Sequence, residues 1–244
     1  VAQDTTKYGI SLYGEYKLAA LLKELCKIED LRWIRIFYCY PDKVTDELID
    51  TIAAEKKVCS YVDIPLQHCN GDILRSMNRS GSYEQLKELI LKMKSKIPDL
   101  SLRTTLMVGF PGETDEQFEE LCNFVKEMKF DKMGCFKFSP EEDTPAFDMD
   151  DQIDDDIKAR REEVLMDIQF SVTEAANRSR VGKIYDTVID SQENGTYIGR
   201  SYLDAPEIDS GIVISSDRKL APGDFVKVKI TGYDGYDLIG ETVS

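Results

Sequence analysis

Histidine and tryptophan each occur once in 244 residues, and cations are scarce: 31 Lys and Arg stand against 46 Asp and Glu, a net charge of −15. With His68 as the single histidine, a metal site built from several imidazoles is excluded. No G-x-S-x-G occurs, so the nucleophile elbow of a serine hydrolase is missing. The glycines of GFPGET lack the lysine that completes a P-loop. No run of 18 or more apolar residues is present and no charged-then-apolar leader opens the chain, so no membrane association is expected and a cytoplasmic location is. The acidic balance makes nucleic acid a poor direct substrate and a basic protein a better partner, because phosphate backbones are bound through Lys and Arg. The six cysteines, at 26, 39, 59, 69, 122 and 135, are spaced too widely and irregularly for zinc or an iron–sulfur cluster. They are expected to be small buried residues, and no metal ligand is assigned within the chain.

What is present is a repeat of strand, corner and helix. LRWIRIFYCYPDKVTDEL, YVDIPLQHCNGDIL, LRTTLMVGFPGETDEQF and MGCFKFSPEEDTPAF each carry a β-rich apolar run ending at a proline-marked corner, at Pro41, Pro65, Pro111 and Pro140. Thr114 to Gln117 and Ser82 to Gln85 fit helix caps, and the Asp42–Thr45 stretch precedes a third amphipathic helix. The opening VAQDTTKYG reads as the top of a further strand, followed by a helix over roughly Gly14 to Lys27. Units of this kind at about 30 to 40 residue intervals predict an α/β fold with a parallel sheet, an incomplete (β/α) TIM-like partial barrel. Its active groups belong at the C-terminal strand ends, which here bear Gln3 and Asp4, Cys39 and Tyr40, Gln67 and His68, Gly109 to Glu113, and Phe138 to Glu142. Asp154 to Asp156 start a long helix reaching about Arg180, with Ile153, Ile157, Val164, Leu165, Ile168 and Val172 as its expected buried stripe. Beyond Val181 the period changes to two: KIYDTVID, TYIGRSYLD, GIVISSD, FVKVKI and DLIGETV, with turns at Asn194-Gly195, Pro222-Gly223 and Asp234-Gly235. These predict five short antiparallel strands forming a small OB-like barrel, with the domain boundary at 180/181.

Three charges interrupt the apolar strands. Arg35, Asp63 and Arg103 alternate with residues facing the helices, so they are expected to point into the barrel, where a lone charge is costly and a paired one tolerable. Either they form an internal network of structural value only, or Arg103 holds the carboxylate of an anionic ligand. The residues alone reach a ligand site at the strand tops and no particular reaction.

The motifs AQDTTKYG, RIFYCYP, DIPLQH, LRTTLMVGFPGET, EEDTPA and RSYLDAPEID, in this order, resemble those of the radical S-adenosylmethionine (SAM) methylthiotransferases, in the branch that modifies a ribosomal protein. The resemblance implies a radical SAM partial barrel over 1–180, truncated at its start, and a TRAM barrel over 181–244. It further implies SAM and two 4Fe-4S clusters in the intact protein, each held by three cysteines lying outside this chain. The chain as given is therefore expected to bind no cluster and to be inactive. For the intact protein the resemblance implies methylthiolation of the β-carbon of an aspartate in ribosomal small-subunit protein twelve. It places Gln3 near the amino group of SAM, and Gln67, Arg103 and Phe138 along its nucleoside and methionine, with His68 shaping the loop. Catalytic residues are not assigned. Residues 181–244 hold 11 acidic and 6 basic residues. Asp204, Glu207 and Asp209 beside Tyr202 accordingly suggest a loop that reads a basic ribosomal protein. A tRNA methylthiotransferase and a non-catalytic fragment that binds a ribosomal protein remain the alternatives.

Overall fold

The computed structural model describes residues 3–193 and 195–243. The chain divides into two compact units, one up to Gln169 and one from Phe170 on. The first contains a four-stranded parallel sheet in the order β1 (Ile34–Ile36), β2 (Val58–Gln67), β3 (Ser101–Val108) and β4 (Lys132–Lys137). Interleaved are α1 (Ile10–Tyr13), α2 (Leu18–Cys26), α3 (Asp46–Ala54), α4 (Gly71–Ser76), α5 (Tyr83–Lys96) and α6 (Asp115–Met128). The strand expected at the opening falls partly on Val1 and Ala2, outside the described residues. From Gln3 the chain bends into a 3-10 turn, Thr5–Lys7. That turn is tied to the end of β1, where Thr5 N–H donates to the Tyr38 carbonyl at 3.1 Å.

Helix starts follow their caps. The hydroxyls of Thr45, Ser82 and Thr114 accept from the backbone N–H three residues on, and Gln117 returns a bond to the Thr114 N–H, completing a capping box. Such a cap contributes about 1 kcal/mol to its helix. On the sheet, Val62, Ile64, Leu66, Leu102, Leu106 and Val108 turn to the helices and join Leu48, Ile52, Ile90, Met93, Leu121 and Val125 in one core. The residues between them take the opposite face. There Asp63 lies opposite Arg103 in register, and Asp63 Oδ1 accepts from Arg103 Nη1 at 2.9 Å while Oδ2 accepts from Tyr38 N–H at 3.0 Å. Arg35, by contrast, stacks on an aromatic ring, its guanidinium 4.4 Å from the centre of Tyr61.

The long helix α7 (Asp155–Arg180) forms as expected, but the expected stripe holds only in part: Leu165 is buried and Ile153, Ile168 and Val172 are half-buried. Ile157 and Val164 are exposed, and the buried positions are Lys158, Arg161, Leu165, Gln169, Thr173, Asn177 and Arg180. Most of this face is polar because it satisfies chain ends and turns: Gln169 Nε2 donates to the Phe130 carbonyl at 2.9 Å, and Arg161 Nη1 to the Glu113 carbonyl at 3.0 Å. The division between the two units falls inside α7. Its last turns belong with the second unit, where Asn177 Nδ2 donates to the Gly235 carbonyl at 3.2 Å and Phe170 packs edge-on against Tyr236.

The second unit is a closed barrel of β5 (Ile184–Glu193), β6 (Thr196–Arg200), β7 (Ile212–Ser215), β8 (Phe225–Asp234) and β9 (Asp237–Thr242), in the order β5-β6-β7-β9-β8. All neighbours are antiparallel except β7 and β9, which run parallel. Five strands in a ring cannot alternate direction all the way round, so closure forces one parallel pair on a sequence that reads as wholly antiparallel. Of the expected turns, Asn194 lies outside the described residues. Gly223 and Gly235 adopt the positive φ that tight reversals need. Ile189, Tyr197, Ile212, Ile214, Val228, Ile230 and Leu238 fill the interior.

The Asp63–Arg103 pair gives a measurable expectation. Arg103→Met leaves a buried carboxylate with one backbone donor and should lower unfolding free energy by roughly 3 kcal/mol in urea titrations. The double variant Asp63→Leu/Arg103→Met should lose markedly less than the sum of the two single losses. Simple additivity would show that the two charges do not support each other.

Candidate ligand site at the strand tops

Pro65 sits inside β2, a central strand, and brings no N–H to the ladder. The pairing to β3 slips there: Ile64 faces Thr104, but Gln67, three residues on, faces Leu106, only two residues on. The Thr104 hydroxyl spans the break, donating to the Ile64 carbonyl at 2.8 Å and accepting from Leu66 N–H at 3.4 Å. The extra residue is a bulge, and a bulge re-aims the side chains beyond it. Gln67 emerges with φ 71, in the left-handed region. The strand thus continues past the proline that was expected to end it.

Gln67 opens into a cavity of about 500 Å³, lined also by Met107, Phe110, Phe138, Met77, Asn78, Arg79 and the Thr144–Ala146 loop. This is within the usual range for a small-molecule site, roughly 300 to 1,000 Å³. Phe110 and Phe138 meet edge-to-face, 5.1 Å between ring centres, and form its apolar wall with Met77, Met107 and Ala146. The loop bearing Thr144 to Ala146 is held down by Gln152, whose Nε2 donates to the Ala146 carbonyl at 2.9 Å. Gly109 lets β3 turn outward: its φ is 75, and a Cβ there would collide with the side chain of Lys158.

Arg79 is the cation of this cavity. Its Nη2 donates to the Pro65 carbonyl at 2.6 Å, and its guanidinium lies 4.5 Å from the centre of the Tyr40 ring. Burial pushes its pKa below the usual arginine value. Among the described residues it forms no ion pair with a carboxylate. Asp42 and Asp4 act on it only at a distance, so its fork of donors is left for a ligand: a half-buried guanidinium with no direct carboxylate contact beside an apolar cavity is suited to bind an anion, above all a carboxylate.

The residues singled out from sequence therefore separate. Gln67 and Phe138 come together at the cavity. Arg103 does not line it: it is third in β3, five residues short of the strand end, roughly 16 Å along the strand, and is engaged by Asp63. His68 is fully buried and does not line the cavity, with Nδ1 accepting from Asn70 N–H at 2.9 Å. Gln3 is exposed on the bend before the 3-10 turn, next to Asp4, whose Oδ1 accepts from Thr6 N–H at 3.1 Å. Sequence reasoning missed Arg79 and Met107, and it gave Phe110, inside the Gly109 to Glu113 strand top, no role of its own. The available signal for Arg79 was MNRSG after α4, an arginine in a loop between two capped helices, whereas alternation in the strand drew attention to Arg103.

The cysteines do not fit an iron–sulfur cluster. Cys39, Cys59, Cys69 and Cys122 are buried, Cys26 and Cys135 half-buried, and no group of three potential ligands converges among the described residues. Burial raises the thiols of Cys39 and Cys135 to about 12 and raises Cys69 as well, the opposite of what a thiolate ligand requires.

In the barrel unit, the loop after β6 is organised from within. Asp204 is 2% exposed, and its Oδ2 accepts from the Ser201 hydroxyl at 3.2 Å; Asp209 Oδ2 accepts from Ala205 N–H at 2.8 Å. Asp204 is thus an internal loop brace instead of a surface contact. Glu207, at φ 65, is exposed, and Tyr202 is half-buried with its ring 6.1 Å from that of Tyr185.

Residues 9–125 match the Radical SAM superfamily and residues 181–243 the TRAM domain. The chain is 50% identical over 241 residues to the protein named ribosomal protein uS12 methylthiotransferase RimO of Caldanaerobacter subterraneus subsp. tengcongensis, covering 99% of this chain and 55% of that protein. It is 48% identical over 240 residues to the protein of the same name from Clostridium novyi, covering 98% and 54%. The chain thus spans about half the length of these relatives. Coproporphyrinogen III oxidase (HemN) from Escherichia coli, described as a radical SAM enzyme, superposes with a TM-score of 0.50 at 15% identity over 77% of this chain and 52% of that one, a likeness of fold. Among the described residues no helix is long and apolar enough to cross a membrane. A parallel sheet with its cavity at the strand tops, a closed five-stranded barrel after it, and half-identity across nearly the whole chain converge on one likeness: a Radical SAM region followed by a TRAM domain, in a chain similar to the proteins named ribosomal protein uS12 methylthiotransferase.

Proposed function

We propose that this chain carries the SAM-binding scaffold and the TRAM domain of a methylthiotransferase acting on ribosomal protein uS12. In this reading residues 1–180 form the partial barrel and 181–244 the TRAM domain. The target is the β-carbon of an aspartate, and the protein works in the cytoplasm. The observation that carries the reading is Arg79, a cation without a carboxylate partner at the edge of an apolar cavity formed by Gln67, Met107, Phe110 and Phe138. SAM has the complementary parts: a carboxylate for the guanidinium, a flat base for the phenyl rings, and polar groups for the Gln67 amide. Gln3, on the segment that Thr6 ties to Tyr40 and so to the Arg79 stack, is assigned to the methionine amino group. When bound, SAM supplies the methyl group and the radical chemistry of the family. The chain's own residues bind and orient it, and the packed Phe110 and Phe138 rings exclude water from the reacting end.

Its iron–sulfur requirement is assigned to segments outside these residues, because the buried and half-buried cysteines present do not converge on a ligand set among the described residues. Substrate contact is assigned to the loop after β6, through Glu207, Asp209 and Tyr202, and to the net −5 of residues 181–244. A basic ribosomal protein fits this charge better than tRNA does.

Three measurements test this reading. In calorimetric titration with S-adenosylhomocysteine, Arg79→Met should weaken binding roughly tenfold or more, while Arg103→Met should leave affinity nearly unchanged wherever the protein remains folded. The reverse order would return the ligand carboxylate to Arg103. Anaerobic reconstitution of this chain with iron and sulfide should leave it without a 4Fe-4S absorption band, and a stoichiometric cluster would contradict the cysteine assignment. Glu207→Lys should weaken binding of the basic ribosomal protein in a salt-dependent way without changing the melting temperature, whereas Asp204→Ala should lower barrel stability by roughly 1 to 3 kcal/mol. Equal competition by tRNA before and after Glu207→Lys would remove this loop from partner recognition.

A further inference from the structure

Two buried polar side chains sit on the segments that carry the cavity wall without lining it. His68 follows Gln67, and Glu113 lies three residues beyond Phe110; both side chains are 0% exposed. Glu113 Oε2 accepts from the backbone N–H groups of Gly109 and, at 3.2 Å, Phe110, the two peptides at which β3 turns outward. Its Oε1 has no hydrogen-bond partner, although Arg161 Nη1 lies 3.5 Å away. That guanidinium is directed elsewhere, donating to the Glu113 carbonyl and, through Nη2, to Asp115 Oδ1 at 2.8 Å.

His68 presents the complementary orphan. Because Nδ1 accepts from Asn70 N–H, the proton of the neutral ring is on Nε2, and this atom too is buried with no hydrogen-bond partner. Nε2 and Glu113 Oε1 face each other at 4.0 Å. That is beyond a direct hydrogen bond, yet one water about 2.8 Å from each can join them. Without it Nε2 would be left bare at a cost of roughly 1 to 3 kcal/mol, and Oε1 would keep only the looser ion pair with Arg161, which makes a dry gap the poorer solution.

We propose that His68 and Glu113 are positioning residues of the strand-top cavity, coupled through a single buried water, so that one carboxylate fixes the placement of both Gln67 and Phe110. The inference deepens the reading of the cavity as the SAM site and rests on it for the identity of the ligand. A purely structural ion cluster would stabilise the fold while leaving cavity geometry and affinity alone. A positioning cluster moves them.

The test compares wild type, Glu113→Ala, Glu113→Gln, His68→Ala and His68→Gln for S-adenosylhomocysteine affinity, melting temperature and the ring NMR shifts of Phe110 and Phe138, all well below melting. Both alanine variants should bind roughly tenfold or more weakly and shift the Phe110 and Phe138 rings, and both amide variants should recover most of the affinity by restoring a polar partner. Alanine variants that melt earlier yet bind as wild type with unshifted rings overturn the proposal. If Glu113→Ala fails to fold, His68→Ala decides, since it leaves both Glu113 backbone bonds in place. Wild type that does not bind S-adenosylhomocysteine overturns the SAM reading instead; the ring shifts then decide the positioning role, and unshifted rings in His68→Ala overturn it. A crystal structure with an empty gap between Nε2 and Oε1 would overturn the water coupling.

Discussion

A proline in a central parallel strand is the constraint that creates the candidate site. Pro65 has no N–H, so β2 cannot keep its register with β3, and Thr104 closes the break with its hydroxyl. The extra residue turns Gln67 into the left-handed region and toward the cavity, and the Pro65 carbonyl accepts from Arg79. One missing donor thus produces the bulge, aims an amide and anchors a guanidinium. Backbone strain at Gln67 is tolerable because both flanks of the bulge are buried and hydrogen-bonded.

The electrostatics of the chain show a second regularity. Its surface is acidic, but the charges inside the first unit are matched locally: Asp63 with Arg103, Glu113 with Arg161 and two backbone N–H groups. Arg79 breaks that pattern, and it does so at the edge of the cavity. Asp42 and Asp4 act on its guanidinium without a direct ion pair, and a half-buried charge left in that state beside a cavity is a candidate ligand contact. The polar inner face of α7 belongs to the same logic, since Arg161 and Gln169 satisfy carbonyls at the ends of β3 and α6 that a greasy helix would leave bare.

Much of this was legible in the residues. The caps at Thr45, Ser82 and Thr114 start helices where their side chains say they should, and the change of period after Val181 marks the barrel. Gln67 and Phe138 were legible as strand-top residues because parallel βα units put function there. Arg103 was placed on the correct face but at the wrong depth: alternation reports which side a residue takes, not how far along the strand it lies. Asp204 was read as part of a loop meeting a basic partner because acids crowd that loop, whereas its burial depends on a Ser201 hydroxyl that only the folded loop brings near. The parallel β7–β9 pair is a consequence of ring closure, a property of the whole barrel that no single strand carries.

Function at the strand tops depends on the groups that the Pro65 bulge presents. The most direct measurement is a crystal structure of the chain soaked with S-adenosylhomocysteine. The predicted result is density with the adenine against Phe110 and Phe138, the carboxylate on the Arg79 guanidinium and Gln67 in hydrogen-bond reach. Ligand density on the Asp63–Arg103 pair, or a cavity that stays empty at saturating ligand, would contradict it.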